Sequence, residues 1–177
     1  LYGIRKIISI INHHKPDFIA VNAVGRKLNC TSKIISNNNE IISDVGWHLT
    51  LTGATIYSKN VIKFIDKINF QKIKNFPQFY LIFNFLGNSK ANFVWINDRI
   101  VRVDGKRSNS YWASNAFEVF LDDLKHTLIS LRHIYSDKTI KHVFESHTSK
   151  TGLFSIRGLI KLRSLGSYNY QIYNKYK

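Results

Sequence analysis

Apolar residues recur at helical spacing at the front of the chain. Ile4, Ile7, Ile8 and Ile11 follow Tyr2, which predicts a helix from about Tyr2 to His14. Pro16 ends it, because a residue that precedes proline is pushed out of the helical region. Phe18 to Val24 is almost continuously apolar, the pattern of a strand covered on both faces. Gly25 to Ser43 is polar around Asn37-Asn38-Asn39 and reads as a loop, with room for a short strand at Lys33 to Ser36. Trp47 to Tyr57 alternates. Trp47, Leu49 and Leu51 point one way and His48, Thr50 and Thr52 the other, which predicts a half-wet strand. Gly53 permits a bulge or a close backbone approach there.

Helical patterns dominate the remainder. Ser58 is suited to cap a helix bearing Val61, Ile62, Ile65 and Ile68. Pro77 fits the first turn of another. Phe79 to Leu86 is apolar on nearly every side, so that helix should be buried, and Gly87 or Asn88 should close it. Ala91 to Val103 reads as one or two strands, with a turn at Asn97-Asp98, and Ser108 to Ser110 reads as a loop. Asn115 and Glu118 have capping-box spacing before Phe117, Phe120, Leu121, Leu124, Leu128 and Leu131. Ser136 should cap a helix carrying Ile140, Val143 and Phe144. From Gly152 to Leu165, Leu153, Ile156 and Ile160 lie on one side and Arg157 and Lys161 on the other. Tyr168 to Lys177 reads as a frayed tail.

This order predicts an α/β fold: a mixed sheet flanked by helices, with a helical carboxyl-terminal extension. A helix that feeds a buried strand with no strand before it, in a chain that starts at Leu1 and contains no methionine, is expected to be the second half of a larger α/β domain. Residues 1–132 would form that part and 133–177 a basic extension.

Charge narrows the partners. Lys and Arg number 26 against 11 acids, a formal net charge of +15, which favours polyanions: nucleic acid, nucleotide phosphates or an anionic membrane face. No acid follows Glu145, whereas Lys150, Arg157, Lys161, Arg163, Lys175 and Lys177 do. With 12 Phe, 9 Tyr and 3 Trp the chain can fill a core, which excludes disorder over most of its length. Its one cysteine, Cys30, can form neither an internal disulfide nor a zinc knuckle, which fits a reducing compartment. No apolar run is long enough for a membrane-spanning helix. There is no G-x-x-x-x-G-K, no G-x-G-x-x-G and no H-E-x-x-H.

The candidate chemistry centres on His48, Thr50 and Thr52, a polar row leading into Gly53 that can line a pocket for hydroxyl groups. Asp44 precedes it and is a candidate general base if it faces the same cavity. Gln78 sits where a helix start offers free N–H groups. Arg157, Lys161 and Arg163 are candidates for contact with a membrane surface or another polyanion.

The stretch from Leu1 to about Ser130 resembles the second half of a family 2 glycosyltransferase of the GT-A type, nearest its abequosyltransferase-like branch. Tyr2-Gly3, the first helix and Asp17-Phe18-Ile19-Ala20-Val21-Asn22 resemble the succession that follows that family's acidic D-x-D-type motif. His48-Leu49-Thr50-Leu51-Thr52-Gly53-Ala54-Thr55-Ile56-Tyr57, the helix from Ser58 to Ile68, Phe76-Pro77-Gln78, Ala91 to Val103 and Ser110-Tyr111-Trp112 resemble its acceptor side. The resemblance implies an inverting, hexosyl-type transfer from a nucleotide-sugar donor to a growing, lipid-linked glycan of a bacterial surface polysaccharide. The enzyme would sit at the cytoplasmic, inner face of the plasma membrane, with an anionic membrane surface and no nucleic acid as partner. A divalent metal, Mg or Mn, would be held by ligands mostly outside this chain, because the acidic motif would precede Leu1. The family's catalytic Asp would fall at Gln78, where this chain has no acid, so Asp44 and His48 become the candidate catalytic groups. Thr50, Thr52, Gly53 and Gln78 become the candidate acceptor contacts. These residues alone are expected not to turn over. The alternative reading is a basic nucleic-acid-binding module without catalytic activity, its aromatics stacking on bases.

Overall fold

Strand β1 (Phe18–Ala23) is buried along its whole length, and the other elements are arranged around it. The computed structural model describes residues 2–26, 28, 30–102 and 112–177. Val103, the Ser108 to Ser110 loop and Tyr111 lie outside them.

Four strands form one mixed sheet, ordered β2 (Lys33–Ile35), β4 (Phe93–Val101), β1 and β3 (Thr55–Tyr57). β1 runs parallel to β4 and antiparallel to β3, and β2 runs antiparallel to β4. Both faces of β1 are covered, as its apolar run requires. Phe18 and Ala20 face the main core, and Ile19 and Val21 face a smaller cluster on the opposite side. The stretch read as one or two strands is a single element over Phe93–Val101. The turn expected at Asn97-Asp98 is instead a bulge, where the β1 partner jumps from Ile96 opposite Val21 to Arg99 opposite Asn22. Asn22 fills the break by donating from Nδ2 to Asn97 Oδ1 at 2.9 Å. Asp17 accepts from the Asn92 backbone N–H at 2.9 Å. Both polar residues of the Asp17 to Asn22 stretch thus fasten β1 to β4.

Helix α1 (Tyr2–His14) lies over the smaller cluster, but buries no side chain fully. Ile7 and Ile10 make its contacts, while Ile4 (61% exposed), Ile8 and Ile11 face outward. The stripe expected from Ile4, Ile7, Ile8 and Ile11 therefore splits, because the sheet face beneath is narrow.

On the other sheet face, α4 (Pro77–Asn88) is the central core helix. Phe79, Leu81, Ile82, Phe83, Phe85 and Leu86 are all buried, as its all-round apolar sequence predicts. Phe79 and Phe83 stack with centroids 4.1 Å apart. Around it pack α2 (Asn38–Val45), α3 (Lys59–Phe64), α5 (Leu124–Ile129) and α6 (Asp137–Thr151). Ile140 and Val143 of α6 join this core, so the division drawn at residues 132 and 133 falls between two helices of one cluster. The last helices, α7 (Ile156–Ser164) and α8 (Tyr170–Tyr176), build a third cluster in which Leu162 is buried against Ala116 and Phe117. Tyr168 stacks on Phe117 at 5.5 Å. The tail is therefore not frayed: Asn169 caps α8 by accepting from the Ile172 N–H, and Lys175 pairs with Asp122 at 3.0 Å.

Three further expectations are corrected. The stretch expected to be a loop around Asn37-Asn38-Asn39 starts α2: Asn37 accepts from the Asn39 N–H at 3.0 Å, and the Asn38 amide donates to the Ser89 carbonyl at 3.0 Å. Residues Gly46–Thr50 form a tight 3₁₀ turn continuing α2, not a strand, and all five are buried. Alternation there arose from an apolar run interrupted by two hydroxyl and imidazole groups that find partners inside the protein. Glu118, expected in a capping box, instead forms an ion pair with Lys74, and residues Glu118–Asp123 adopt a π-helical turn.

Candidate functional site

A cavity of about 350 Å³ opens where the 3₁₀ turn, the start of α4, the π turn and the α6–α7 junction meet. Thr50 and Thr52 reach it from the turn, Asn75, Phe76 and Gln78 from the α4 entry, and Trp112 and Phe120 from the other wall. Gly25 and Arg26 border it after β1, and His147, Lys150 and Lys161 border it from α6 and α7.

Local chemistry explains these placements. Pro77 starts α4 without an N–H to satisfy, which leaves Gln78 in the first turn facing back toward the 3₁₀ segment. Its Nε2 donates to Thr52 Oγ1 at 2.9 Å and to the Thr50 carbonyl at 3.3 Å. The amide donors are thereby committed, and Oε1 is the end left to accept from a ligand hydroxyl. Thr50 Oγ1 donates to the Trp47 carbonyl at 3.0 Å. Gly25 has φ +87 and Gly53 φ +85, a left-handed conformation that glycine adopts without a Cβ penalty. Gly25 turns the chain out of β1 along the cavity rim; Gly53 turns it back into β3, outside the cavity lining. The π turn is an insertion of the kind that re-aims side chains near functional sites. It places Phe120 against Phe76, Trp112 and His147, with centroids 5.9, 5.5 and 5.3 Å away.

Of the candidate residues, Thr50, Thr52, Gln78 and Lys161 are brought together in this cavity. Asp44 and His48 are not. Lys33 Nζ donates to Asp44 at 2.9 Å and also pairs with Glu40. Burial opposes the Asp44 charge, but hydrogen bonds from Lys33 and Ser43 prevail and hold its carboxyl below the usual range. A carboxylate so occupied, away from the cavity, cannot accept a proton from a ligand within it. His48 is fully buried (0% exposed) and its Nε2 donates to the Val21 carbonyl at 2.9 Å. Burial first, then the nearby Arg26 charge, lowers its pKa to about 4, so it is a neutral structural imidazole at pH 7.

The basic face is also rearranged. Ile156 and Ile160, read as the apolar side of this helix, are 81% and 67% exposed. Leu162 takes the core position because Phe117 lies beneath it. Arg157 and Arg163 are exposed, so α7 presents aliphatic and basic side chains together. No described helix is long and apolar enough to cross a membrane.

Sequence reasoning missed Arg26, Trp112, His147 and Lys150. The glycine before Arg26 and the indole of Trp112 were visible signals; the convergence of α6 with the β1 exit was not. The resemblance places the ligands of its divalent metal mostly outside this chain; among the described residues no group of three or more His, Cys, Asp or Glu is assembled, and Glu40 and Asp44 together enclose the Lys33 ammonium.

Gly158 of α7 sits against the α6–α7 junction, and a Cβ there would lie 2.1 Å from the Leu153 carbonyl oxygen and 2.3 Å from that of Gly152. Alanine normally favours a helix interior over glycine by ~1 kcal/mol. Here the clash is with backbone, and overpacking of ~1–3 kcal/mol prevails. Gly158→Ala should lower the urea midpoint, and the fluorescence of Trp112 should change as the cavity wall shifts; an unchanged or raised midpoint would contradict this geometry.

The sequence matches no protein-family model and no curated protein sequence.

Proposed function

We propose that the chain is the acceptor-side part of a sugar-transferring enzyme, and that the cavity receives the acceptor. The observation that carries this reading is the convergence of Thr50, Thr52 and Gln78 on one cavity walled by Trp112, Phe76 and Phe120. Hydroxyls and an amide acceptor suit sugar hydroxyl groups, and an indole face suits the apolar face of a pyranose ring. The resemblance of the element order to a GT-A glycosyltransferase supports the same reading. Gln78 stands at the position where a base would be sought. It cannot take a proton, so in this reading it orients the acceptor hydroxyl, and the proton acceptor and donor-binding groups come from outside the described residues. The outward Ile156 and Ile160 beside Arg157 and Arg163 support a seat on an anionic bilayer: aliphatic chains enter the headgroup boundary and the cations meet lipid phosphates.

Saturation-transfer NMR with a panel of monosaccharides tests the reading. Transfer to ring protons of at least one sugar is expected, and Trp112→Ala with Gln78→Ala should reduce it by about tenfold, the scale of one lost stacking or polar contact. Sedimentation with phosphatidylglycerol vesicles should fall in Ile156→Asn/Ile160→Asn. No transfer to any sugar, together with tight and steeply salt-dependent binding of single-stranded DNA, would replace this reading with the nucleic-acid one.

A further inference from the structure

The cavity is chemically two-ended. Thr50, Thr52, Asn75 and Gln78 lie toward the α4 entry, and three cationic side chains, Arg26, Lys150 and Lys161, come from three separate elements. No carboxylate lines it among the described residues. Arg26 donates to the His48 carbonyl at 3.3 Å. Its guanidinium carbon lies 5.3 Å from the centroid of the Trp47 ring, and Lys150 Nζ lies 5.6 Å from the same centroid. The Trp47 indole thus holds Arg26 and Lys150 beside the cavity by cation–π contact, where a bound anion would meet both side chains.

A second observation points the same way. His147 lines this cavity, is 1% exposed, and has no hydrogen-bond partner on either ring nitrogen among the described residues. Buried polar groups are nearly always paired. A neutral imidazole stacked on Phe120, with one N–H and one lone pair unspent, is suited to complete its bonding with a ligand oxygen.

We infer that the cationic end of this cavity is a phosphate site, in which Lys150, Lys161 and Arg26 hold the oxygens of a phosphate or diphosphate ester and His147 donates one hydrogen bond from below. The site takes the phosphorylated end of a hydroxyl-bearing ligand, with its uncharged part along Thr50, Thr52 and Gln78. What the phosphate is attached to rests on the acceptor reading above; the phosphate site itself does not. Charge-assisted bonds of this kind are the strong ones, and α7 carries Lys161 on the same helix as the outward Ile156 and Ile160, so a lipid phosphate can approach from that side.

Calorimetric titration of the chain with inorganic pyrophosphate tests the site. Saturable binding at one equivalent is expected, weakened by more than about tenfold in Lys150→Gln/Lys161→Gln and unchanged in Lys63→Gln, an exposed α3 residue outside the cavity lining. His147→Phe, which keeps an aromatic ring on Phe120, should weaken it less. Non-saturating binding, or equal affinity in the double variant and the Lys63 control while both remain folded by circular dichroism, would overturn the proposal. Short-chain phosphatidic acid below its micellar concentration separates the sources: competition places a lipid phosphate in the site, and no competition leaves it to a water-soluble phosphate ester. Pyrophosphate binding without any sugar contact would sustain the phosphate site and remove the acceptor reading; sugar contact without pyrophosphate binding would do the reverse.

Discussion

Lowering the pH from 7 to 5 is expected to remove roughly 4 kcal/mol of folding stability, about 2 from each of two buried histidines. His48 and His147 are 0% and 1% exposed. Burial, then the Arg26 charge, lowers the first to about 4 and the second to about 3. Both are bases whose folded pKa lies below the value near 6.5 of the unfolded chain. The unfolded state therefore binds more protons throughout the interval between, so stability is fully present above pH 6.5 and declines as pH falls toward 4. This loss precedes that of Asp44 and Asp122, whose lowered carboxyl pKa values place their titration below pH 4. A domain of ordinary stability holds only about 5–15 kcal/mol, so urea midpoints should drop steeply across this window. His147→Phe should flatten the slope by about half, since it removes one of the two groups. A midpoint that stays level between pH 7 and 5 would mean that the imidazoles reach water or acquire partners.

Truncating Phe18 should cost about 3–5 kcal/mol, the range for a fully buried aromatic replaced by alanine. The ring is 0% exposed on the central strand. It meets Phe85 edge-on at 5.3 Å, Tyr57 edge-on at 5.9 Å and Phe93 at 6.4 Å, joining β1 to β3, β4 and α4 at one point. No neighbour can refill the gap without leaving its own contacts. Phe18→Ala should therefore lose the cooperative thermal transition or shift it down by roughly 6–20 °C, at ~2–4 °C per kcal/mol for a domain of 150–250 residues. Ile156→Ala on exposed α7 is the matched control and should move the transition little. A Phe18→Ala protein as stable as that control would remove β1 from the centre of the fold.

Some of this was legible in the chain. The buried strand at Phe18, the all-round apolar helix after Pro77 and the serine caps at Ser58 and Ser136 are local facts: composition, proline geometry and a side-chain oxygen placed near helix N–H groups decide them. Asn37, three residues before Glu40, was an equally local cap signal and was overlooked in an asparagine-rich stretch. The 3₁₀ turn was illegible, because Trp47, His48, Leu49 and Thr50 alternate as a strand would while every one of them is buried. Three of the four acceptor candidates did meet in a cavity, although the alternation that suggested Thr50 and Thr52 belongs over residues 47–50 to a 3₁₀ turn and not to a strand. Their hydrogen-bonding groups ended up together because Gln78 holds the turn.

The residues themselves determined where chain segments coil or extend, which runs are too apolar to face water, and that the molecule carries a large positive charge. Only the assembled fold decided which side of α7 turns inward, since Leu162 and Ile160 are alike in hydropathy and differ only in whether Phe117 lies beneath them. Only the fold, too, brought Arg26, Lys150 and Lys161 to one cavity edge while Lys33 took up Asp44. A side chain's chemistry travels with its identity, but what that chemistry can act on depends on neighbours many residues away, and those are set by packing.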